Sequence, residues 1–386
     1  MNPATGYSIG NYGAMTADDI RINAYAAALR RSVTPESVVL DIGAGTGIWS
    51  LLACQYGARH VYAVEPDDSI QVAREVAKAN GCADRITFLQ DISTRIELPE
   101  RAQVIVSDLR GTLPYFEQHI ASIADARARH LAPGGVLIPR RDTVWAGLME
   151  APETCQRLLK PWGEDVMGID FSSQRKVTTN HFHSEYFTPE ELLASPQMVA
   201  TLDYQTITDP HVHARLEWSV QRGGIAHGVS LWFQTELADG IGFATGPGPE
   251  RMVYGIAFLL LTEPVAVSET DRVTLELKGN LVGNTYIWQW HTKFFAAGNT
   301  RLPATEFRQS TFDSSKPNLE QLRKRAAHYI PTTSGEAKVD RLVLNLMDGK
   351  TPLEDIARAL AKEFPEQYRT WQQALSRVGD LAEKYT

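Results

Sequence analysis

Cysteine and clusters of metal-binding side chains are scarce in this sequence. The 386 residues include three cysteines, which lie far apart and form no C-x-x-C pair: Cys54, Cys82 and Cys155. This usage suits a reducing cytoplasm, where we expect the protein to work. H-x-H pairs at residues 181–183 and 211–213 have no cysteine or paired acid nearby to complete a ligand set. We therefore expect no metal site.

Long apolar runs and excess positive charge are also lacking. No window approaches eighteen uninterrupted apolar residues, and the N-terminus has no basic segment followed by an apolar run. We therefore expect neither an export signal nor a membrane span. Lys and Arg number 38 against 46 Asp and Glu, a formal net charge of -8. This acidic balance argues against broad nucleic-acid binding, and it is compatible with a basic substrate.

One stretch, residues 38–64, is expected to organise the N-terminal half of the chain. Its apolar pattern predicts a strand at Val38–Leu40, a helix at Ile48–Tyr56 and a second strand at His60–Val64. Three glycines between the first strand and the helix predict a tight turn: Gly43, Gly45 and Gly47. This order is typical of a βαβ nucleotide-binding unit in a chain long enough for two or three domains.

An acid follows this unit and another precedes its glycines. Glu65 comes about twenty residues after the glycines, where a carboxylate can accept both hydroxyls of a ribose. Dinucleotide sites use G-x-G-x-x-G, whereas this turn is D-x-G-x-G-x-G with Asp41 leading. That form resembles the first motif of class I methyltransferases that use S-adenosyl-L-methionine (SAM). Glycines there let the backbone approach the methionine part closely. The alternative is a tight turn without a ligand.

A second motif lies in a helix predicted over Tyr12–Leu29 with Thr16 as its N-cap. Four residues have the spacing M-x-x-D-x-x-R-x-x-x-Y: Met15, Asp18, Arg21 and Tyr25. The pattern resembles the N-terminal helix of the protein arginine methyltransferases, in which the arginine binds the carboxylate of SAM. The resemblance implies cofactor contacts from Met15 and Arg21. The alternative is a solvated helix that binds nothing.

Further strands and helices are predicted to complete the SAM domain: Ser69–Asn80, Arg85–Leu89, Val104–Ser107, Ala121–Leu131 and Val136–Pro139. Thr94 lies where the family carries a glutamate that holds the adenine amino group, so that contact is weakened or comes from the backbone. The phrase LAPGGVLIP resembles the segment that closes the SAM domain. We place the domain boundary near residues 139–141.

The loop SDLRGTLPYFE, residues 107–117, follows the fourth predicted strand and should lie in the ligand crevice. It resembles the double-glutamate loop of the arginine methyltransferases, whose two carboxylates clamp the substrate guanidinium. The resemblance places these catalytic acids at Asp108 and Glu117. Arg110 would repel a guanidinium unless it turns outward or pairs with Asp108. The alternative is a solvated loop and helix start.

After residue 141 the sequence changes to stretches of alternating pattern, rich in β-branched and aromatic residues, which predict strands: Thr143–Met149, Thr201–Ile207, Arg215–Val220, Gly228–Glu236 and Arg272–Leu277. This half resembles the β-barrel that follows the SAM domain in the family. Residues 160–195 resemble its dimerisation arm, which implies a homodimer. The apolar side chains of this segment could equally belong to the core: Met167, Ile169, Phe171 and Phe182.

The second half also departs from the family pattern. Residues 251–253, Arg-Met-Val, stand where the family has its Thr-His-Trp loop. Asp18 is then expected to lack its imidazole partner, and the substrate pocket to lack its aromatic wall. Trp288 or Trp290 could approach from another strand, unless both belong to the barrel core.

The end of the chain is predicted to be a separate helical unit. Residues 301–336 are expected to form a linker, with its most polar part at Thr305–Ser315. Residues 337–386 have helical spacing, and their phrase LMDGKTPLEDIARALAKEF resembles the PqqD-like winged-helix domains that bind leader peptides. Helix-turn-helix DNA binders share such a pattern, but the balanced charge makes nucleic acid an unlikely ligand.

Together these features predict an α/β protein. A Rossmann-like SAM-binding domain over 33–140 would follow cofactor-covering helices over 1–32, with a β-barrel domain over 141–300 and a C-terminal helical domain. The expected function is a SAM-dependent methyltransferase that acts on a guanidinium or amine nitrogen of a protein or peptide. Two alternatives stay open: a small-metabolite methyltransferase, and a non-catalytic SAM-fold module that recruits a peptide or DNA.

Overall fold

The structure is a computed structural model that describes residues 7–163, 165–298, 302–314, 319–324 and 326–385. Parts of the predicted N-terminal helices, arm, barrel end and linker fall on other residues, and those parts of the predictions lie outside the described residues. The chain divides into two compact units, Met1–Ser315 and Lys316–Thr386. Among the described residues, no helix is both long enough and apolar enough to cross a membrane.

Two helices precede the first strand and divide the stretch Tyr12–Leu29 that was predicted as one helix: α1 (Ile9–Thr16) and α2 (Asp19–Ser32). The predicted cap at Thr16 is wrong, because its hydroxyl donates to the carbonyl of Tyr12 at 2.9 Å. Asp18 supplies the cap, since its Oδ1 accepts a hydrogen bond from the backbone N of Arg21 at 3.1 Å. A carboxylate at this position satisfies a helix N–H that would otherwise lack a partner. The break between α1 and α2 thereby separates Met15 from the helix that carries Arg21.

The described part of the first half contains a parallel sheet of five strands: β1 (Val38–Ile42), β2 (His60–Val64), β3 (Ile86–Leu89), β4 (Ala102–Ser107) and β5 (Leu131–Ile138). Their order is β3-β2-β1-β4-β5. Every residue of the central strand β1 is buried, as expected where a parallel strand has neighbours on both sides and helices on both faces. Helices connect the strands: α3 (Ile48–Gln55), α4 (Ser69–Ala79) and α5 (His119–His130). The predicted α/β class and Rossmann-like arrangement are confirmed.

An antiparallel domain follows, built from these strands: β6 (Arg141–Met149), β7 (Phe182–Glu185), β8 (Gln197–Asp203), β9 (Val212–Ser219), β10 (Gly224–Ala238), β11 (Ile241–Ala244), β12 (Ile256–Val267), β13 (Arg272–Val282), β14 (Thr285–Phe295) and β15 (Thr305–Ser310). Their hydrogen-bonded strands form two sheets. One sheet has the order β7-β12-β10-β6-β8 with β11 on β10, and the other has the order β15-β14-β13-β9.

Two strand boundaries differ from the predictions. The strand expected at Thr201–Ile207 ends at Asp203, because the Asp203 carbonyl accepts the backbone N of Ile207 at 2.8 Å and turns the chain. Residues 305–310, inside the predicted linker over 301–336, form β15, which pairs with β14. Polar residues concealed this strand, yet Gln309 is buried and accepts the indole N–H of Trp290 at 3.1 Å.

The segment predicted as a dimerisation arm contains a short helix, α7 (Arg175–Thr179), and β7, after the helix α6 (Pro152–Leu159). The alternative that its apolar residues form core is wrong for Met167 and Ile169, which are 98% and 56% exposed. Phe171 and Phe182 are half-buried. Such exposure leaves an apolar surface on this segment without a partner in the described part of the chain.

The regular elements in the described residues of the second unit are all helices: α8 (Leu319–Lys324), α9 (Gly335–Leu346), α10 (Leu353–Glu363) and α11 (Trp371–Tyr385). Its own apolar core includes Val343, Leu360 and Val378, each fully buried. The carboxylate of Asp340 on α9 pairs with Arg377 on α11 at 2.6 Å. The predicted helices are therefore present, while the resemblance to PqqD-like domains stays a prediction.

Candidate active site

A cavity of about 590 Å³ lies at the carboxyl ends of β1, β2 and β4. Its wall includes residues 42–46 after β1, residues 64–66 after β2 and residues 108–112 after β4. Helix α1 and Tyr254 also contribute to the wall. Loops at the carboxyl ends of parallel strands form the ligand crevice in this kind of sheet. The cavity therefore lies at the strand ends where the sequence predicts the ligand crevice.

The glycine turn forms the floor of this cavity. Gly45 has a φ of +53°, and a Cβ atom there would lie 2.6 Å from the ring of Tyr12 on α1. Gly43 faces the cavity beside Leu109. Gly47 is placed differently, because it is the N-cap of α3 and lies outside the cavity wall. A side chain at Gly45 would thus occupy space that the turn leaves to α1 and to a ligand.

Asp41, which leads the glycine motif, is fully buried and does not line the cavity. Its Oδ2 accepts hydrogen bonds from the backbone N of Ser50 at 3.0 Å and from the Ser50 hydroxyl at 2.7 Å. Burial raises the pKa of Asp41 to about 7, although the Ser50 hydrogen bonds oppose the rise. Asp41 therefore fixes the start of α3 and acts on the cavity through the turn.

Glu65 reaches the cavity from the end of β2, as predicted. Its Oε2 accepts the backbone N–H of Gly45 at 2.9 Å, and its Oε1 accepts that of Asp67 at 3.0 Å. Burial raises the pKa of this carboxyl, while the two backbone hydrogen bonds act in the opposite direction. Each oxygen keeps a second lone pair, so the side chain can still accept hydroxyl donors.

The structure differs from the prediction at Thr94, whose side chain is exposed and lies outside the cavity wall. The residues that line the wall at this place are Asp91, Ile92 and Ser93. The chain turns after β3 so that the residues just before Thr94 face inward. Asp91 is thus a cavity residue that the sequence comparison with the family pattern missed.

Arg21 and Asp108, predicted to contact the cofactor and the acceptor respectively, bind each other. Arg21 Nε donates to Asp108 Oδ2 at 2.6 Å, and both side chains are almost fully buried. Arg21 Nη1 donates to the carbonyl of Met15 at 3.1 Å, which places Met15 in the cavity wall through its backbone. The guanidinium also lies 4.8 Å from the ring centroid of Trp49. Its Nη2 makes no hydrogen bond within the described residues, so donors remain for a ligand.

Arg110 turns inward and pairs with the same carboxylate. Its Nε and Nη2 each lie 3.0 Å from Asp108 Oδ1, and its Nη1 lies 3.0 Å from Asp142 Oδ1. Burial alone would raise the pKa of Asp108, but Arg21 and Arg110 outweigh it and lower the pKa to about 2. The outward-facing Arg110 considered from the sequence is therefore not observed.

Glu117, the second predicted acid, has a different environment from Asp108. Its side chain is exposed, lines the cavity and makes no hydrogen bond or ion pair with the part of the chain that the structure describes. Its backbone has a φ of +41°, a conformation that residues other than glycine rarely adopt. Backbone strain of this kind concentrates at functional sites.

Tyr254 supplies the aromatic wall that the sequence did not reveal. Its hydroxyl donates to Asp108 Oδ2 at 2.7 Å, and the residue lines the cavity. Trp288 and Trp290 are each 2% exposed and do not line the cavity, which confirms the core alternative for both. Tyr254 directly follows the divergent residues 251–253. An aromatic residue one position further along the chain could therefore have indicated this wall in the sequence.

Asp18 has no imidazole partner among the described residues, as the sequence predicts, and a backbone N–H takes that place. Its Oδ2 accepts the backbone N–H of Val253 at 2.9 Å, while its Oδ1 caps α2. A backbone donor needs no particular side chain, so the contact between α2 and this loop survives the substitution. Position alone could not predict this contact.

His119 is another cavity residue that the sequence did not single out. Its Nε2 lies 3.0 Å from the Tyr204 hydroxyl, which donates to Asp142 Oδ2 at 2.6 Å. Burial, together with the nearby Arg110, lowers the pKa of His119 to about 3, so the ring is neutral. Because the Tyr204 proton is directed to Asp142, His119 Nε2 carries the proton that it donates to Tyr204.

Comparison with known proteins decides the family. A family model described as "Ribosomal protein L11 methyltransferase (PrmA)" matches residues 25–149, and "Arginine methyltransferase oligomerization subdomain" matches residues 141–283. Protein arginine N-methyltransferase 6 of Xenopus tropicalis is 31% identical over 277 residues, which cover 67% of this chain and 80% of that protein. The chain belongs to the protein arginine methyltransferase family.

Other members of the protein arginine methyltransferase family match in sequence or in fold. A probable protein arginine N-methyltransferase 6 of Arabidopsis thaliana is 30% identical over 64% of this chain, and the match spans 58% of that relative. The Trypanosoma brucei PRMT1 enzyme-prozyme heterotetrameric complex with AdoHcy has a TM-score of 0.71 at 24% identity, covering 78% of this chain and 98% of that one. Arabidopsis thaliana protein arginine methyltransferase 10 gives 0.69 at 22% identity, covering 78% and 97%.

Proposed function

We propose that this protein is a methyltransferase that uses SAM and transfers its methyl group to a guanidinium or amine nitrogen of a protein or peptide. The observation that carries the proposal is one cavity at the strand ends that brings together Glu65, Arg21 and Glu117. These groups are suited in turn to a ribose, a carboxylate and a cationic acceptor. Family membership supports the same reaction.

The described residues fit SAM on several counts. The cavity has a volume typical of small-molecule sites. Gly43 and Gly45 present bare backbone at its floor, and Glu65 keeps lone pairs for hydroxyl donors. Arg21 would hold the carboxylate of SAM with the donors that its bond to Asp108 leaves over. Asp91, also in the cavity wall, would accept a hydrogen bond from the adenine amino group.

The residues of this chain would act mainly by positioning and electrostatics. When bound, SAM supplies an electrophilic methyl carbon on a sulfonium. Glu117 would accept a hydrogen bond from the acceptor nitrogen and hold it in line for attack, and a fixed carboxylate favours the positive charge that builds there. Tyr254 and α1, which form part of the cavity wall, would help to exclude water from the cavity.

Pairing with a second copy of the chain is part of the proposal. Met167 and Ile169 are exposed apolar side chains on the segment that resembles the dimerisation arm. The matched oligomerization subdomain includes this segment. A cytoplasmic location, predicted from the cysteine usage, remains a prediction.

Calorimetric titration with SAM tests the cofactor assignment. Arg21→Ala and Glu65→Ala should each weaken binding by about 1–3 kcal/mol, because each removes charged hydrogen bonds. Thr94→Ala is the matched control and should bind as the wild type does, since its side chain lies outside the wall. Unchanged affinity in both of the first two variants would refute the assignment.

Label transfer tests the kind of acceptor. Purified protein is incubated with methyl-labelled SAM and a cytoplasmic extract, and protein is then separated from small molecules. We expect the label in protein or peptide. Label found in small molecules alone would replace this proposal with the small-metabolite alternative.

A further inference from the structure

The carboxylate of Asp108 lies between two buried guanidinium groups. Its Oδ2 accepts hydrogen bonds from Arg21 Nε at 2.6 Å and from the Tyr254 hydroxyl at 2.7 Å. Its Oδ1 accepts hydrogen bonds from Arg110 Nε and Nη2, each at 3.0 Å. An ionised carboxylate offers about four lone-pair sites, so these donors fill it. Asp108 therefore joins Arg110 to Arg21, the residue proposed to hold the carboxylate of SAM.

Arg110 is fixed on its other side by the antiparallel domain. Its side chain is fully buried, and its Nη1 lies 3.0 Å from Asp142 Oδ1 on β6 and 2.9 Å from the Thr235 hydroxyl on β10. Its Nη2 also donates to the Tyr25 hydroxyl at 2.5 Å, and the guanidinium lies 5.1 Å from the ring centroid of Phe233. Each nitrogen of the guanidinium has a partner, so the group is held in one position.

Side chains rather than backbone contacts hold the start of this loop. Residues 109–115 make no backbone–backbone hydrogen bond with another part of the described chain. The Arg110 guanidinium joins the loop to β6 and β10 instead. Removing that guanidinium would leave Asp108 Oδ1 without a hydrogen-bond donor from the described residues.

The charges indicate what Arg110 contributes to the cofactor side. Arg21 and Asp108 alone form a neutral pair, so the carboxylate of SAM would meet an anion beside the cation that binds it. Like charges repel strongly where water is excluded. Arg110 neutralises Asp108 at the oxygen that Arg21 does not bind. Asp142, which balances Arg110 in turn, does not line the cavity.

We propose that Arg110 is a positioning residue for cofactor binding: it fixes and neutralises Asp108, so that Arg21 keeps its charge and its remaining donors for the carboxylate of SAM. This inference rests on the proposed use of SAM. It adds a buried residue that acts through Asp108 and Arg21 rather than by its own contact with the amino-acid end of the cofactor.

Only ligands that carry the amino-acid end of SAM should depend on Arg110. S-adenosyl-L-homocysteine has that end, whereas 5′-methylthioadenosine has the same adenosine and sulfur without it. Glu65, which would hold the ribose, accepts from the backbone N–H groups of Gly45 and Asp67 and makes no hydrogen bond to Arg110. Loss of the Arg110 guanidinium should therefore weaken the first ligand and spare the second.

Calorimetric titration with both ligands tests the proposal. The wild type should bind S-adenosyl-L-homocysteine at least about tenfold more tightly than 5′-methylthioadenosine, because Arg21 adds charged hydrogen bonds. Arg110→Met, which keeps much of the length and loses the charge, should lower this ratio of affinities about fivefold to tenfold. Arg110→Lys keeps the charge without the planar fork and should give an intermediate ratio. Arg59→Ala, at an exposed ion pair, is the control and should keep the wild-type ratio.

A charge-balanced variant keeps the test decisive if Arg110→Met does not fold. Arg110→Met combined with Asp142→Asn removes one buried cation and one buried anion together. Replacing a buried ion pair by neutral side chains of similar size is often neutral for stability. The double variant should lower the ratio of affinities as Arg110→Met does, because Asp108 again loses its neutralising partner.

The outcomes separate this inference from the proposed function. Failure of the wild type to bind S-adenosyl-L-homocysteine would reject the proposed use of SAM itself. If the wild type binds both ligands equally well, the role given to Arg110 is overturned without any variant. An unchanged ratio in a folded Arg110 variant would overturn it too. So would an equal loss of affinity for both ligands, which is the result expected of a purely structural residue.

Discussion

Replacing Asp108 by asparagine should lower the free energy of unfolding by about 3–5 kcal/mol, the usual cost of removing one partner from a buried ion pair. Asparagine is nearly isosteric with aspartate, so little packing is lost. The change instead leaves the buried Arg21 without a carboxylate partner and the buried Arg110 with Asp142 alone. Chemical denaturation followed by tryptophan fluorescence measures the difference in the free energy of unfolding between the two proteins. Coincident transitions by two probes must first show that the unit Met1–Ser315 unfolds in a two-state manner.

The pH dependence gives this prediction a second, independent magnitude. The two arginines hold the pKa of Asp108 at about 2, below its ordinary 3.8. A pKa lowered by this amount stabilises the folded state by about 2 kcal/mol. This stabilisation is fully present above the ordinary pKa of 3.8 and is lost as the pH falls through the pKa of the folded state. The gap between the wild type and Asp108→Asn should therefore narrow by about that amount between pH 5 and pH 2.

A matched control separates the effect of burial on the free energy of unfolding from the effect of ion pairing alone. Glu100 pairs with Arg59 at the surface, where both side chains are well exposed. Glu100→Gln should cost less than about 1 kcal/mol, since solvent screens such pairs. A loss below about 1 kcal/mol for Asp108→Asn too, or a gap that stays constant with pH, would refute the reasoning about the filled carboxylate.

Three further predictions concern ligand binding and assembly. Gly45→Ala should weaken SAM binding at least about tenfold in calorimetry, because its Cβ would meet the Tyr12 ring. The control Gly57→Ala should bind SAM as the wild type does, because Gly57 also has a positive φ but has open space around it. Glu117→Gln should slow methyl transfer about 10²-fold or more with SAM affinity unchanged, and equal single-turnover rates would remove its catalytic role. Met167→Asp should convert a dimer to monomers in sedimentation, and an unchanged mass would exclude this segment as the interface.

The parallel half could be predicted well because its signals are local. The strands β1 and β2 are short apolar runs, and the glycines between them form a turn that few other residues can adopt. The cap of α2 was misplaced because Thr16 and Asp18 are both good caps. Strand β15 was missed because two of its six residues are exposed and its buried Gln309 is polar.

The acceptor side of the cavity could not be predicted in the same way. Arg110 meets Asp142, Thr235 and Tyr254, each from a different part of the chain. Such contacts leave no periodic pattern in the sequence, because they depend on how the antiparallel domain packs on the parallel sheet. His119 is hidden for the same reason, since its partner Tyr204 lies in that second domain.

The sequence by itself determined the βαβ unit, the glycine turn and the acid at Glu65, because short stretches of chain encode them through periodicity and backbone conformation. It also showed that Asp108 and Glu117 would lie in one loop. Only the tertiary structure decided that Asp108 is filled and Glu117 is not. The availability of a carboxylate depends on which donors lie within about 3 Å of its oxygens, and those donors come from residues far apart in the chain.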